Sequence, residues 1–144
     1  LDKPVAHLLD KPLDNYPDYK QTAVELVRDP RYALITPRML LSHTAGFANF
    51  ASLEPDKKMH IHYSPGSRFA YSGEGLNLLQ FVIEQREHKP LDQLMQETIF
   101  TPLGMRNTSM IWNEAFASNV ADRYDAAGKF ISHTRRDRAR CARA

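Results

Sequence analysis

Residues 64–76 read Ser-Pro-Gly-Ser-Arg-Phe-Ala-Tyr-Ser-Gly-Glu-Gly-Leu. Pro65-Gly66 is typical of a turn, because proline fixes one backbone angle and glycine accepts the positive φ that a type II turn requires. The residues from Arg68 to Tyr71 then predict an extended segment. Ser72 follows with a hydroxyl that can cap the free N–H groups of a helix. The stretch therefore predicts a turn, a short extended run and a helix N-terminus in immediate succession.

Tyr71 is the candidate catalytic residue of this stretch, because it directly precedes the residue that caps the helix. The positive end of the helix macrodipole favours the phenolate form of a tyrosine at that place, which makes Tyr71 a candidate proton acceptor. The competing interpretation is structural. Most tyrosines at a junction between a strand and a helix bury the ring and hydrogen-bond the hydroxyl, and spacing alone favours this second interpretation.

Four segments in order resemble one known family. They are TPRMLLSHTAGF at 36–47, PGSRFAYSGEG at 65–75, the apolar helix that follows, and TPLGMRNT at 101–108. Together they look like the serine beta-lactamase-related family, which includes class C beta-lactamases, penicillin-binding DD-peptidases and a set of esterases. The resemblance implies an α+β parent fold, of which this chain is mainly the helical region with few short strands.

The resemblance also implies a chemistry. Family members form an acyl-enzyme on a serine that is followed one helical turn later by a lysine, and they use a tyrosine in the position of Tyr71 as general base. No serine of this chain has a lysine three residues later, and no lysine is followed by Thr-Gly. Gly73 stands where the family usually has asparagine, which fits esterase or peptidase-like relatives better than an efficient beta-lactamase.

The predicted function is therefore that of a fragment of a serine hydrolase acting on an ester, amide or beta-lactam. We expect the chain to be inactive alone, because the nucleophile is not among its residues. The alternative is a noncatalytic binding or scaffold module that retained the family helices. No cofactor is implied in either case.

Composition adds limits. The chain has 144 residues, of which 42% are hydrophobic and 25% charged, as in an ordinary globular protein, and no run of residues is apolar enough for a membrane span. No signal peptide is visible, so the compartment stays open. The net charge of +2 comes from five arginines in residues 135–144. No aromatic residue lies between them, so nucleic-acid binding is not expected.

Two regions are predicted. Residues 1–134 form part of a beta-lactamase-like domain, and residues 135–144 form an unstructured tail rich in arginine and alanine. Such a tail is typical of a shifted reading frame, so we expect a premature end. Cys141, the single cysteine, has no partner for an internal disulfide and is not expected to be functional.

The hydrophobic pattern predicts helices over 37–43, 72–87 and 90–100, and Thr36-Pro37 marks the start of the first, with the Thr36 hydroxyl as its cap. Residues 121–131 resemble a hairpin of the same family, which implies that Gly128 lies in its turn. Residues 1–9 predict a loop with a short apolar turn, residues 10–19 irregular structure, and residues 18–28 one or two weak turns. In the helix 72–87 the predicted apolar face comprises Leu76, Leu79, Val82 and Ile83, widened by Leu78 and Phe81. Without the sheet of the parent fold, the faces of the two longer helices lack part of their cover, so marginal stability or self-association is expected.

Three histidines were weighed as functional residues. His43 lies at the end of a predicted helix, where histidines often satisfy free carbonyls, and a structural role is favoured. His60 and His62 share one face of an extended segment and could hold a metal in principle. No third ligand is evident nearby, so an ordinary polar face is favoured and no metal site is predicted.

Overall fold

The computed structural model describes residues 1–131, which fall into two compact units that meet between His88 and Lys89 in sequence. The first unit contains three α-helices, α1 (Val24–Arg28), α2 (Pro37–Leu41) and α3 (Gly73–Glu87). The second contains α4 (Leu91–Met95) and a two-stranded sheet of β1 (Arg123–Tyr124) and β2 (Phe130–Ile131). The described chain is thus mainly helical with two short strands, as predicted.

Both helix starts read from the sequence are confirmed. The Thr36 hydroxyl accepts the Met39 N–H at 3.3 Å, and Pro37 occupies the first turn of α2, where its missing N–H costs nothing. The Ser72 hydroxyl accepts the Gly75 N–H at 3.0 Å at the start of α3. The predicted helix 37–43 is shorter than expected and ends at Leu41, because His43 has a left-handed backbone with φ 55°.

The predicted length of α3 is confirmed. Its buried face, however, is centred on other residues than predicted. Leu78, Phe81 and Val82 are buried, whereas Leu76 and Ile83 are only half-buried. The rings of Tyr16 and Tyr19 pack edge-on against Phe81 with centroids 5.0 and 4.9 Å away, which draws that side of the helix inward. Leu78, Phe81 and Val82 are thus covered within the first unit, while the expectation that α3 lacks part of its cover stays a prediction.

The core of the first unit draws heavily on the segment before α2. Residues 1–28 are predicted as loop and weak turns, yet Val5, Leu13 and Leu26 are fully buried, as is Ile35, for which no element is predicted. Val5 and Leu13 lie in the short 3₁₀ turns Val5–His7 and Leu13–Asn15, Leu26 lies in α1, and Ile35 follows the 3₁₀ turn Pro30–Leu34. The sequence interpretation missed these core positions because elements this short leave no periodic pattern.

The second unit has less regular structure than predicted. The expected helix 90–100 is α4 followed by a single wider turn, Gln96–Phe100, and the Met105 N–H closes its end on the Phe100 carbonyl at 2.8 Å. The hairpin is confirmed: β1 and β2 pair antiparallel with Tyr124 opposite Phe130, and Gly128 takes φ 77° in the turn.

The predicted tail at 135–144, with Cys141, lies outside the described residues. Within residues 1–131, no helix is long and apolar enough to cross a membrane.

Candidate active site

Tyr71 lies immediately before the residue that caps α3, with its ring 54% exposed. The structural alternative, a buried ring with a satisfied hydroxyl, is wrong for this tyrosine. Phe69, two residues earlier on the same extended segment, is 68% exposed. The stretch therefore presents an accessible phenol at the N-terminus of the longest helix, which is the position expected for a proton acceptor.

Ser72 is a helix cap. Its side chain is 2% exposed, its hydroxyl accepts the Gly75 N–H at 3.0 Å, and the same hydroxyl donates to the Ala48 carbonyl at 2.8 Å. Because the proton of this hydroxyl is held by a backbone carbonyl, Ser72 has none to relay to a neighbour of Tyr71. The interpretation of Ser72 as a cap agrees with this geometry.

A loop at residues 48–51 holds the start of α3. The side-chain oxygen of Asn49 accepts the Gly73 N–H at 2.9 Å, and its backbone carbonyl accepts the Glu74 N–H at 2.7 Å. In return, the Glu74 carboxylate accepts the Ala51 N–H at 2.9 Å. The N–H groups of Gly73, Glu74 and Gly75 are thus all engaged. None of these three is available to stabilise an oxyanion.

Sequence reasoning missed Asn49, which it assigned to a solvated loop. The only available signal was the residue type, since asparagine can accept N–H groups at a helix start through both its side chain and its backbone. The partner helix begins 24 residues later in the chain, so no local pattern connects the two.

His43 contacts Tyr71 directly. The two ring centroids are 4.6 Å apart with the planes tilted by 40°, and the Phe69 ring lies edge-on to the imidazole with the centroids 5.7 Å apart. The Ser72 N–H donates to His43 Nδ1 at 3.2 Å. The predicted structural role is thus carried by different contacts from those expected, because the imidazole accepts an N–H from α3 instead of donating to carbonyls of α2.

The segment behind this site is fixed by a close backbone approach at Gly46. Gly46 has φ 91°, and a Cβ atom there would lie 2.4 Å from the Tyr63 carbonyl oxygen. The His62 N–H donates to the Gly46 carbonyl at 2.8 Å, and Phe47 forms an isolated antiparallel bridge with Ile61. Only glycine allows this approach, so the Thr-Ala-Gly segment after His43 is held against residues 61–63.

Asp29 and Arg31 precede α2, and Arg31 contacts Ile61, a residue that pairs with the Gly46 segment. The Arg31 guanidinium donates three hydrogen bonds to the Asp29 carboxylate and one to the Ile61 carbonyl at 2.8 Å. The hydrogen bond from the Arg31 side chain holds the pKa of Asp29 below its ordinary value of 3.8. The pair thereby connects the turn before α2 to the strand-like residues behind Gly46.

His60 and His62 do not converge on a common ligand. His60 pairs with Asp56 at 2.9 Å and His62 pairs with Glu54 at 2.5 Å, while their ring centroids lie 6.4 Å apart. Across residues 1–131, no group of three or more histidine, cysteine, aspartate or glutamate side chains could hold a metal ion. Each imidazole has its own carboxylate on the surface.

The second unit contains a cleft of about 580 Å³ between α4 and residues 109–114. Two of its acidic side chains are engaged: Glu97 accepts from Lys89 at 2.7 Å, and Glu114 accepts the indole N–H of Trp112 at 2.7 Å. The hydrogen bond from Lys89 lowers the pKa of Glu97. Both acidic side chains therefore have partners within the second unit. The candidate site remains the surroundings of Tyr71.

Comparison with known proteins identifies the group to which this geometry is similar. A family model described as beta-lactamase matches residues 1–140. A curated protein of Salmonella paratyphi B, described as a candidate D-alanyl-D-alanine carboxypeptidase, is 40% identical over 57 residues, which cover 40% of this chain and 13% of that protein. The chain therefore spans a small part of that relative's length.

Solved structures give the same picture for the fold. D-alanine carboxypeptidase AmpC from Burkholderia cenocepacia superposes with a TM-score of 0.64 at 20% identity, over 93% of this chain and 35% of that one. EstCE1, a hydrolase with promiscuous acyltransferase activity, superposes with a TM-score of 0.56 at 25% identity, over 90% of this chain and 43% of that one. The predicted fold class, a helical region of a larger parent fold, is confirmed.

Proposed function

This chain belongs to the beta-lactamase family, and on that premise we propose that it is the tyrosine-bearing portion of a serine hydrolase that works through an acyl-enzyme. Tyr71 is its general base. The observation that carries the proposal is the combination of an exposed phenol, 54% accessible, with a backbone fixed on both sides of it. General bases need both an accessible proton-accepting atom and a defined position.

The role of Tyr71 follows from the balance of protons in acyl transfer. The hydroxyl oxygen of a serine outside this chain attacks the substrate carbonyl carbon, and the phenolate oxygen of Tyr71 takes the proton of that hydroxyl. The bond between the carbonyl carbon and the leaving oxygen or nitrogen then breaks, and Tyr71 returns the proton to that leaving atom. By the family resemblance, a lysine one helical turn after the serine takes part with Tyr71 in this proton transfer.

Two observations support inactivity of this chain by itself. Its sequence has no serine followed three residues later by lysine and no Lys-Thr-Gly triad. In addition, the N–H groups of Gly73, Glu74 and Gly75 are engaged within the protein, so the start of α3 does not supply an oxyanion hole. A general base without its nucleophile provides only a small part of the rate enhancement, because these groups act as a unit.

The proposed substrate is a small ester, amide or beta-lactam. Carboxypeptidase and hydrolase are the activities named for the relatives, and Gly73 at the position after Ser72 lacks the amide side chain that asparagine would offer to a substrate. This difference favours an esterase or peptidase-like activity over efficient beta-lactam hydrolysis.

The test is an assay with nitrocefin and p-nitrophenyl acetate. The 144-residue chain should read at background, and a longer product encoded by the flanking DNA should hydrolyse at least one of the two substrates. In that product, Tyr71→Phe should lower kcat/KM by about 10²- to 10⁴-fold, as loss of a general base does. Tyr124→Phe is the matched control, since Tyr124 is similarly exposed at 58% but lies in the second unit.

Three results would contradict the proposal. They are full activity of Tyr71→Phe, equal losses in Tyr71→Phe and Tyr124→Phe, and flanking DNA that encodes no Ser-x-x-Lys segment. If the longer product bound a penicillin or a peptidoglycan peptide reversibly without turnover, the noncatalytic binding module would be the better description. The observation that favours a noncatalytic binding module is that none of the 144 residues forms a Ser-x-x-Lys nucleophile motif.

A further inference from the structure

We propose that His43 is a positioning residue that holds Tyr71 in place from both sides. Its carbonyl oxygen accepts the Ala70 N–H at 2.8 Å, and its ring nitrogen Nδ1 accepts the Ser72 N–H at 3.2 Å. Ala70 and Ser72 are the two neighbours of Tyr71 in the chain. One residue from a different segment therefore fixes the backbone directly before and directly after the candidate base.

His43 is itself firmly held. It follows α2, where its N–H donates to the Leu40 carbonyl at 3.3 Å and the next N–H, of Thr44, donates to the Met39 carbonyl at 2.8 Å. The Thr44 carbonyl accepts the Gly66 N–H at 2.8 Å, so the turn that precedes the Tyr71 segment is attached to the same point. Hydrogen bonds of His43 and Thr44 thus fix the position of the Tyr71 segment relative to the C-terminal end of α2.

The backbone of His43 adds a second argument. Its φ of 55° is left-handed, a conformation that is unfavourable for a residue with a Cβ atom and that glycine adopts freely. A turn that needed only this backbone would be served better by glycine. The cost is offset here by what the side chain does, namely the hydrogen bond to Ser72 and the ring contacts with Tyr71 and Phe69.

The hydrogen bond also fixes the chemical state of the imidazole. Since Nδ1 accepts an N–H, the proton of the neutral ring is on Nε2. A doubly protonated ring has no acceptor to offer Ser72. His43 in this arrangement orients Tyr71 and does not take a proton from it through Nδ1, so its effect on any reaction passes through the tyrosine.

The direct test is amide hydrogen exchange and long-range ¹H–¹⁵N correlation on the 144-residue chain. The wild-type spectrum should show His43 as the Nε2–H form. His43→Gly keeps the left-handed backbone but removes the acceptor, and it should speed exchange of the Ser72 amide by about tenfold or more while leaving the Gly75 amide unchanged. His43→Asn should restore protection, because asparagine tolerates the left-handed backbone and places an oxygen near the site of Nδ1.

His60→Gln serves as a control, because His60 pairs with Asp56 at the surface and should leave the Ser72 amide unchanged. Three results would overturn the positioning role. They are unchanged exchange of Ser72 in His43→Gly, equal acceleration of Ser72 and Gly75, and His43→Asn behaving like His43→Gly. The first result would show that the Ser72 N–H is not hydrogen-bonded to His43. The second would show that His43 contributes only to the general stability of the fold, and the third that the protection depends on the imidazole ring and not on an acceptor at the position of Nδ1.

The catalytic consequence rests on the proposed function and is measured separately. In the longer product, His43→Gly should lower kcat with KM nearly unchanged, and it should add little to Tyr71→Phe, because both variants disable the same group. Selective loss of Ser72 protection with kcat unchanged would contradict the role of Tyr71 as base and leave the hydrogen bond established. Unchanged protection would contradict the positioning role whatever the activity.

Discussion

The two units differ in how much of their apolar surface is buried. In the first, Leu13, Leu26, Ile35 and Leu78 are fully buried within one continuous cluster. In residues 89–131 only Leu91 and Phe100 are buried, and large apolar side chains are exposed, including Leu103 at 71% and Phe130 at 52%. The candidate site belongs to the unit that has the core, so its geometry is determined largely within residues 1–88.

The largest expected effect tests the core difference directly. Leu78→Ala should lower the free energy of unfolding by about 2–5 kcal/mol, because it opens a cavity where a side chain is fully buried. Leu103→Ala, the same change at an exposed position of the second unit, should stay within about 0.5 kcal/mol. Urea denaturation followed by far-UV circular dichroism measures both. Similar losses in the two variants would contradict the comparison.

Two glycines, one in each unit, test the comparison between the units at the level of the backbone. Gly46→Ala should destabilise by roughly 2 kcal/mol or more, because the added Cβ meets a carbonyl oxygen at 2.4 Å in addition to the strain of φ 91°. Gly128→Ala carries the strain of φ 77° alone, since nothing lies within 4 Å of its added Cβ, and should cost about 1 kcal/mol. Equal melting temperatures of the two variants would show that the close approach at Gly46 is unimportant.

Tyr32 offers a change in the opposite direction. Its hydroxyl is buried without a hydrogen-bond partner in the described structure, so Tyr32→Phe should raise the free energy of unfolding by roughly 1 kcal/mol. Burial also raises the pKa of Tyr32 from 10.0 to about 12. The stability linked to the neutral hydroxyl is therefore fully present below pH 10, and the wild type should lose stability relative to Tyr32→Phe as the pH rises from 10 toward 12. A destabilised variant at pH 7 would reveal a partner for the hydroxyl.

The smallest expected effect concerns Asp29. Because Arg31 lowers its pKa below 3.8, the folded state gains stability from the ionised carboxylate above that pH and loses it as the pH falls through the lowered value. Asp29→Asn should therefore be slightly less stable than the wild type at pH 7, and the difference should shrink in acid. Melting temperatures between pH 2 and pH 7 measure this. A difference that grows in acid would contradict the assignment.

Sequence reasoning captured the features that depend on neighbouring residues. The capping hydroxyls of Thr36 and Ser72, the length of α3 and the hairpin turn at Gly128 follow from local hydrogen bonds and local backbone angles, and all are present. The motif order also identified the family, because it combines several such local signals along the chain.

The features that it missed depend on contacts between distant segments. Asn49 binds the start of α3, His43 accepts the Ser72 N–H across 29 residues, and Tyr16 packs on Phe81. None of these pairs has a periodic or short-range signature. The same reason explains why Val5 and Leu13 were assigned to a loop although they are core residues.

Several expectations remain predictions. They are the partial domain over 1–134, the unstructured tail, the absence of nucleic-acid binding, and marginal stability or self-association through the exposed faces of the two longer helices. Sedimentation velocity of the 144-residue chain tests the self-association. Association that persists when Ile99, 37% exposed and within the predicted helix 90–100, is replaced by aspartate would place the contact elsewhere.

The role of Tyr71 is tested most directly by the rate of acylation in a single turnover. With the longer protein in excess over p-nitrophenyl acetate, the rate constant for release of p-nitrophenol reports the step in which the serine hydroxyl loses its proton. We predict that this rate constant falls by about 10²-fold or more in Tyr71→Phe and is unchanged in Tyr124→Phe. A rate constant equal to that of the wild type in Tyr71→Phe would contradict the role of Tyr71 as general base.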